Sequence, residues 1–585
     1  MKLLFDIETD GLDATKIWCL VAQEVDTGQV WSYGPDDIQE GVKLLNNASQ
    51  LSGHNIIGFD IPVLEKLTSF KLGYQKIVDT LVYSRLFNPV REGGHSLAVW
   101  GAKLGLAKIE FEQFDEYTED MLEYCKRDVA VNVKVYKALQ KEGVGFSPMS
   151  MALEEEVATI LKKQEQRGFY FDEYKATMLL ALMREKMAET EAEVCKVFKP
   201  KIDERLIYRR ENAGGAVAKT GSWDTPSGKG VRLTAEEYAT LSQPAVFSTT
   251  RTTTVDFNIG SRKQVGEYLV DFGWKPTEFT VNGRPVVNEK TLSSIEGIPE
   301  AELIKDYLMY QKREAQIKSW IESVREDGRV HGFVIPNGTI TGRMTHREPN
   351  MAQVPSSNSP YGKDCRACWT VPKGYKLVGI DASGLELRML AHYMEDEDYT
   401  NEIINGDVHT ANQKLAGLES RNQAKTFIYA LLYGAGDEKL GSVAGGGRAV
   451  GQGLRKSFFD NLPAFTNLKN KVARAAGRGY LKGLDGRKLF VRSEHSALNT
   501  LLQGAGAIVM KQALVLFNDE LEKEGLDAHF VCNVHDEWQL EVLEKDADRV
   551  GKMGVEAIID AGDYLYLTCP LDGEYNVGNN WSETH

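Results

Sequence analysis

Over roughly the first 140 residues, short apolar runs alternate with polar breaks. LLFDI, IWCLVAQEV and QVWSY have strand length and are rich in apolar and β-branched residues, and a polar-apolar helical pattern runs from about Thr118 to Gln140. This alternation predicts an α/β module. GVGFSPMS, at about 143–150, sets Gly, Ser and Pro between two helical patterns and places a domain boundary near 147. A helical pattern then holds to about 198, broken at Gly168, where QRGFYFD predicts a helix stop, a short extended piece and Asp172 as the next N-cap. Residues 199–258 lose the period and are rich in Gly, Thr, Ser and Arg, which predicts an inserted loop or small subdomain with a basic surface. A helix is predicted again over about 299–326, and the helices flanking the insertion are expected to pair as an arm.

Beyond 325 hairpins and helices mix. Asn337-Gly338 in RVHGFVIPNGTITGR predicts a two-residue hairpin turn. YKLVGID predicts a strand ending on Asp381, followed by the helix SGLELRMLAH. Residues from about 400 to 520 read as mainly helical, with GSVAGGGRAVGQG at 441–453 as a flexible turn, and AHFVCNVHDEWQLEV reads as two strands joined at His535-Asp536.

A length of 585 residues implies roughly three or four domains or subdomains. With 42% hydrophobic and 26% charged residues the chain can bury large cores, and no run approaches the roughly 20 apolar residues of a membrane helix, so no membrane association is expected. The start, MKLLFDIETDGL, has Asp6 and Glu8 where a secretory signal needs apolar residues, so a cytoplasmic setting is expected. The seven scattered cysteines suit reduced thiols, and the Cys365/Cys368 pair lacks the second ligand pair of a zinc site. A net charge of -15 excludes a protein that coats nucleic acid by bulk charge. Any nucleic-acid role must use local basic surfaces or bound cations.

Two groups of residues carry candidate chemistry. Asp6 and Glu8 lie two apart on a strand and share a face. HNIIGFD supplies Asp60, and the helix from 118 supplies Tyr124 and Asp128, four apart on one face. Four carboxylates could hold two divalent metals that ready a water for in-line attack on a phosphodiester, with Tyr124 orienting that water. A lone DxE is weak evidence, and solvated strand-end acids beside a core tyrosine are the plain alternative. The ordered set DxE, N-x-x-x-F-D, Y-x-x-x-D is far more specific. It resembles the three motifs of the DEDD-type 3'-5' exonucleases of the tyrosine variety, to which DNA proofreading domains belong, and implies a ribonuclease H-like domain.

In the second group, Asp381 ends one strand and Asp536 sits at a later hairpin turn, positions from which separate strands can converge. Arg421, Lys425, Tyr429 and Tyr433 recur at intervals of four in ESRNQAKTFIYALLYGAG and form a slowly winding stripe on one helix. Cations followed by tyrosines suit a nucleotide, triphosphate at one end and sugar and base at the other. For that helix alone, a solvated cation pair above core tyrosines is the plain alternative.

DASGLELR, RNQAKTFIYALLYG and VHDE resemble motifs A, B and C of the family A (polymerase I-like) DNA polymerases, in order, with TITGRMTH like the upstream TGR motif. With the exonuclease motifs, the resemblance covers nearly the whole chain, and AKTFIY, LYGAGDEK, GLDGRK and LNTLLQ look most like replicative polymerases of short-tailed bacteriophages. It implies a multidomain α/β and α+β architecture: an exonuclease domain over 1–147, a thumb over 148–324 with the basic insertion at about 199–258, palm over 325–393, fingers over 394–498 and palm again over 499–585. It implies Mg2+ as cofactor, two per active site with Mn2+ as a substitute, held by Asp381 and Asp536 in one site and by Asp6, Glu8, Asp60 and Asp128 in the other. Phosphate contacts are implied for Arg421, Lys425 and His409. Glu386 should fill the space of a ribose 2'-hydroxyl, backed by Tyr433, and Tyr429 should make dideoxynucleotides acceptable. Arg343, Asn499 and Gln503 should track the minor groove of the primer-template, and His535 and Glu537 should approach the primer end.

The partners implied are primer-template DNA, dNTPs, a replicative helicase-primase and host thioredoxin bound through 199–258; the plain alternative for that insertion is a longer DNA grip. The chain begins at the exonuclease strand, with no 5' nuclease ahead of it as in polymerase I itself, so flap removal is expected to need another protein. Three other readings differ in testable ways. A single-subunit RNA polymerase would use rNTPs and lack Glu386, a DNA-binding scaffold would not need the six acids, and a pure exonuclease would be indifferent to Asp536.

Overall fold

The structure is a computed structural model that describes residues 1–209, 222–224, 230–232 and 248–585. It divides into two compact units: Met1–Glu173 together with Glu322–His585, and Tyr174–Ile321.

The amino-terminal module is a five-stranded sheet in the order Val30–Tyr33, Ile17–Glu24, Lys2–Thr9, Gln50–Gly53, Lys76–Asp79. Alternation along Lys2–Thr9 sends Leu3, Phe5 and Ile7 into a core with the helices Ile38–Asn46 and Asp60–Leu67. Leu4 faces the other way, against Met121, Cys125 and Val129 of the helix Glu119–Glu142, and the period of two puts Asp6 and Glu8 on that face too. The helix starts as expected: the Thr118 side chain accepts from the Met121 backbone N–H. The next helix, Pro148–Arg167, has Ser147 as N-cap and Pro at its first turn and ends at Gly168, whose φ of 67° suits glycine. This helix belongs to the first unit.

The second sheet of that unit is antiparallel, in the order Ala528–Val534, Glu537–Leu543, Tyr375–Ala382, Gly573–Gly578. Its inner residues Val378, Ile380, Trp538 and Leu540 share a core with Phe517 of the helix Ala497–Lys523 and Val550 and Ile558 of the helix Ala547–Tyr564. The segment Glu494–Lys523 is long and apolar enough to cross a membrane by length and composition, against the expectation that no run would be. Its most apolar window is 89% buried inside the protein, which is the environment of a core helix.

Two sequence expectations give way to the structure. Phe333–Ile335 does pair with Thr345–Arg347, but the register sets Ile335 opposite Thr345, so Asn337-Gly338 lies in a nine-residue connection instead of a two-residue turn. Asn337 and Gly338 lack the positive φ such a turn requires, and the Asn337 amide donates to the Arg85 carbonyl at 3.1 Å. The glycines of 441–453 do not form one continuous turn either; the turn is confined to 444–447. Gly441, Gly451 and Gly453 belong to the helices Asp437–Val443 and Arg448–Asn461, with Gly445–Gly447 in the short connection between them, and a Cβ on Gly441 or Gly451 would fall 2.0 or 1.8 Å from a backbone oxygen of the other helix or its cap. Gly441 and Gly451 are there so that the two helices can touch.

In the second unit Val194, Phe257, Ile259, Val265, Leu269 and Ile304 make a separate core. The flanking helices Glu173–Val197 and Glu300–Ile321 are joined by Arg184, whose Nε donates to Glu314 at 3.0 Å, as an arm would require. Lys201–Arg209 and Ser248–Val255 pair antiparallel and form, with Ser222–Asp224 and Gly230–Arg232, a four-stranded sheet within the segment expected to be an insertion. Residues 210–221, 225–229 and 233–247 of that segment lie outside the described residues.

Candidate active sites

The five residues of the first group come together on the face of the amino-terminal sheet that meets the helix Glu119–Glu142. Asp60 opens its own helix and accepts from the Ile7 backbone N–H at 3.2 Å, so it is tied to the strand between Asp6 and Glu8. The loop leading to it is held by Asp79, which accepts from the backbone of Asn55 at 2.9 Å and Ile57 at 3.1 Å. Carboxylate oxygens of Asp6 and Glu8 and the Cys125 sulfur lie within 4.8 Å of one another. Asp128 is 3% exposed and its Oδ1 has no hydrogen-bond partner among the described residues.

Burial, with repulsion from Asp60 and Glu8, holds the Asp6 carboxyl well above its usual range. Burial pushes Glu8 up to about 9 and Asp60 up to about 7, and it raises Asp128 as well. Four crowded acids that resist ionisation, one of them with an orphaned oxygen, suit divalent cations. Tyr124 packs on Phe111 and Phe114, with ring centroids 5.5 and 6.2 Å away. A lysine that carried no sequence signal joins them: Lys108 Nζ lies 2.5 Å from Asp128 Oδ2 and 4.9 Å from the centre of the Tyr124 ring.

The second group assembles on the second sheet. Asp381 is paired opposite Glu537, and the Ala382 backbone N–H donates to the Asp536 carbonyl at 3.1 Å, which fixes the hairpin turn beside the strand end. Burial and then Asp536 push Asp381 up to about 7, and burial raises Asp536 too. Both therefore favour a cation beside them. Arg343, Glu386, His535 and Asp536 line one cleft, with His535 in the left-handed region at φ 56°. Arg343 donates to Glu386 at 2.9 Å, and the Tyr433 hydroxyl donates to the same carboxylate at 2.7 Å.

The expected stripe lies on the helix Arg421–Leu432, opened by a reciprocal cap between Ser420 and Gln423 and followed by Tyr433 at the C-cap. Arg421 donates to Asp407 at 2.6 Å, and Asp407 in turn caps the helix Val408–Ala416 that carries His409. Lys425 is exposed. Tyr429 and Tyr433 stack with ring centroids 6.5 Å apart, and His409 stands 6.3 Å from Tyr429. Burial, then Arg421 and Lys425, hold the His409 imidazole below its usual range.

Asn499 and Gln503 lie four apart near the start of the helix Ala497–Lys523, both partly exposed. Glu537 does not line the cleft; it sits opposite Asp381 on the neighbouring strand, and its charge adds to the repulsion that raises Asp381. It accepts from Trp581 Nε1 at 2.6 Å and Gln539 Nε2 at 2.6 Å and pairs with His585 at 2.7 Å, so it braces the sheet instead of approaching a primer end. Sequence reading missed Asp407, which links Arg421 to His409; the D-x-x-T spacing before a helix was the available signal.

The model of DNA polymerase family A matches residues 233–583. DNA-directed DNA polymerases of Enterobacteria phage T3 and Escherichia phage T7 are each 34% identical to this chain, in alignments that cover 100% of both partners. A solved structure, the POL domain of Pol1 from M. smegmatis in complex with DNA primer-template and dNTP, superposes with a TM-score of 0.78 at 18% identity, covering 100% of this chain and 95% of that one. With residues of two motifs lining one cleft, the third tied to it by the Tyr433–Glu386 hydrogen bond, and that similarity running end to end, the chain belongs to DNA polymerase family A.

Proposed function

We propose that this protein is a template-directed DNA polymerase that extends a primer 3'-hydroxyl with dNTPs and proofreads with its own 3'-5' exonuclease, replicating a phage genome inside the bacterial host. The convergence of Asp381 and Asp536 carries the polymerase half, and the meeting of Asp6, Glu8, Asp60 and Asp128 around Tyr124 carries the nuclease half. Mg2+ held by each carboxylate group, with Mn2+ as a substitute, supplies charge neutralisation and an activated oxygen nucleophile.

The chain's own residues do the rest. Arg421 and Lys425, with neutral His409, receive the triphosphate. Tyr429 and Tyr433 face sugar and base, Arg343, Asn499 and Gln503 the minor groove, and His535 the primer end. In the nuclease site Tyr124 orients the attacking water. In domain terms the exonuclease spans 1–147, the thumb 148–324, the palm 325–393 and 499–585, and the fingers 394–498. Thioredoxin on residues 199–258, and a helicase-primase partner, rest on the resemblance to short-tailed phage polymerases; tryptophan fluorescence titration with thioredoxin tests the first.

Glu386 has the clearest specificity role. Arg343 and Tyr433 both donate to it and hold its carboxylate in one orientation, which supports the reading that it fills the space of a 2'-hydroxyl. Glu386→Ala should therefore raise rNTP use relative to dNTP use by at least about tenfold in single-nucleotide insertion, since opening the space removes the steric exclusion. Unchanged discrimination contradicts that role.

A further inference from the structure

The geometry points to Lys108 as a positioning residue of the nuclease site, acting through Tyr124 and Asp128; this inference rests on the nuclease reading above. Lys108 lies in the segment between the helices Leu97–Lys103 and Glu119–Glu142, outside all three motifs. Its side chain is 25% exposed, and its ammonium forms an ion pair of 2.5 Å with Asp128 and a hydrogen bond with the Tyr124 hydroxyl. One cation thus bridges two residues a helical turn apart, both assigned to the reaction.

The chemistry of the donor fixes the direction of that bond. An ammonium only donates, so in its bond to Tyr124 the phenol oxygen accepts. The phenol keeps its own proton, which is turned away from the lysine and toward the Asp128 carboxylate, so that ammonium, phenol and carboxylate hold one another in a closed triangle. Phe111 and Phe114 hold the ring from its sides. Without the lysine the phenol oxygen loses its donor and Asp128 its counter-charge, so the hydroxyl is no longer held where it orients the nucleophile. A lysine that merely neutralised Asp128 would have no such effect through Tyr124.

The test uses the full chain and 5'-labelled single-stranded DNA with Mg2+ and no dNTPs. Lys108→Met should lower the kcat of shortening about ten- to a hundredfold, with KM changed less than about twofold, because misdirecting one catalytic hydroxyl costs rate and not binding. Lys108→Arg should restore most of the rate. Tyr124→Phe should cost a similar factor, and the Lys108→Met, Tyr124→Phe double variant should be no slower than the slower single one, as expected for residues acting as a unit. Primer extension by Lys108→Met at wild-type rate shows that the protein is folded.

Full nuclease rate in Lys108→Met, a loss confined to KM, or losses that multiply with Tyr124→Phe would each overturn the assignment while leaving the nuclease reading intact. A wild-type protein whose shortening activity is absent, or survives Asp6→Ala, removes the nuclease reading and the role of Lys108 with it.

Discussion

Replacing Asp536 by alanine should reduce primer extension by at least about a thousandfold, because in the proposed mechanism one of the two carboxylates that would hold the divalent cations is gone. Shortening of the same primer without dNTPs should continue at the wild-type rate, since the nuclease carboxylates lie on a different sheet. The fold should survive. The contact that places the turn is a backbone bond, from Ala382 N–H to the Asp536 carbonyl, and alanine preserves it. Removing the carboxylate also relieves the repulsion that helps push Asp381 up to about 7, so the melting temperature should hold or rise. Asp6→Ala should give the mirror image, with extension kept and shortening lost. Single-turnover extension within about tenfold of wild type in Asp536→Ala would place the polymerase chemistry elsewhere.

Arg487→Met should produce the largest loss of stability among the substitutions considered. Arg487, Asp485, Glu154 and Lys511 form a charged cluster with side chains 0–2% exposed. The guanidinium donates to Asp485 at 2.6 and 2.8 Å and also to Glu154, which Lys511 meets from the other side. Ser147, the cap of the helix Pro148–Arg167, donates to the Asp485 carbonyl, so the cluster fastens that helix to the loop at 483–487. A methionine leaves Asp485 buried without its cation, a change that costs about 3–5 kcal/mol. The first thermal transition should fall by roughly 5–10 °C. Arg487→Lys should recover little of this, because a lysine cannot reproduce the fork that serves two carboxylates at once. A melting curve identical to wild type would show that the cluster contributes nothing net.

Much of both sites was legible because their residues sit in elements whose period the sequence displays. Asp6 and Glu8 follow from a strand's alternation, Tyr124 and Asp128 from a helical turn, and the stripe from Arg421 to Tyr433 from three such intervals. What the sequence hid depends on contacts between segments far apart in the chain. Lys108 lies in an irregular stretch and becomes visible only when the helix Glu119–Glu142 is laid beside it. Glu537 looked like a group that would reach the primer end because it adjoins Asp536, yet its carboxylate is taken up by Trp581, Gln539 and His585. Asn337-Gly338 carried the local signature of a tight turn, which the tertiary bond to Arg85 overrides. At 441–453 the glycine-rich composition suggested mobility, whereas at Gly441 and Gly451 the absence of a side chain serves close helix packing.

The central claim is tested most directly by annealing a 5'-labelled primer to a longer template and incubating it with the protein and Mg2+, with and without dNTPs. The account predicts a primer that shortens one nucleotide at a time without dNTPs and is extended to the end of the template when all four are present. A primer that shortens in both conditions, or is extended only with rNTPs, would contradict it.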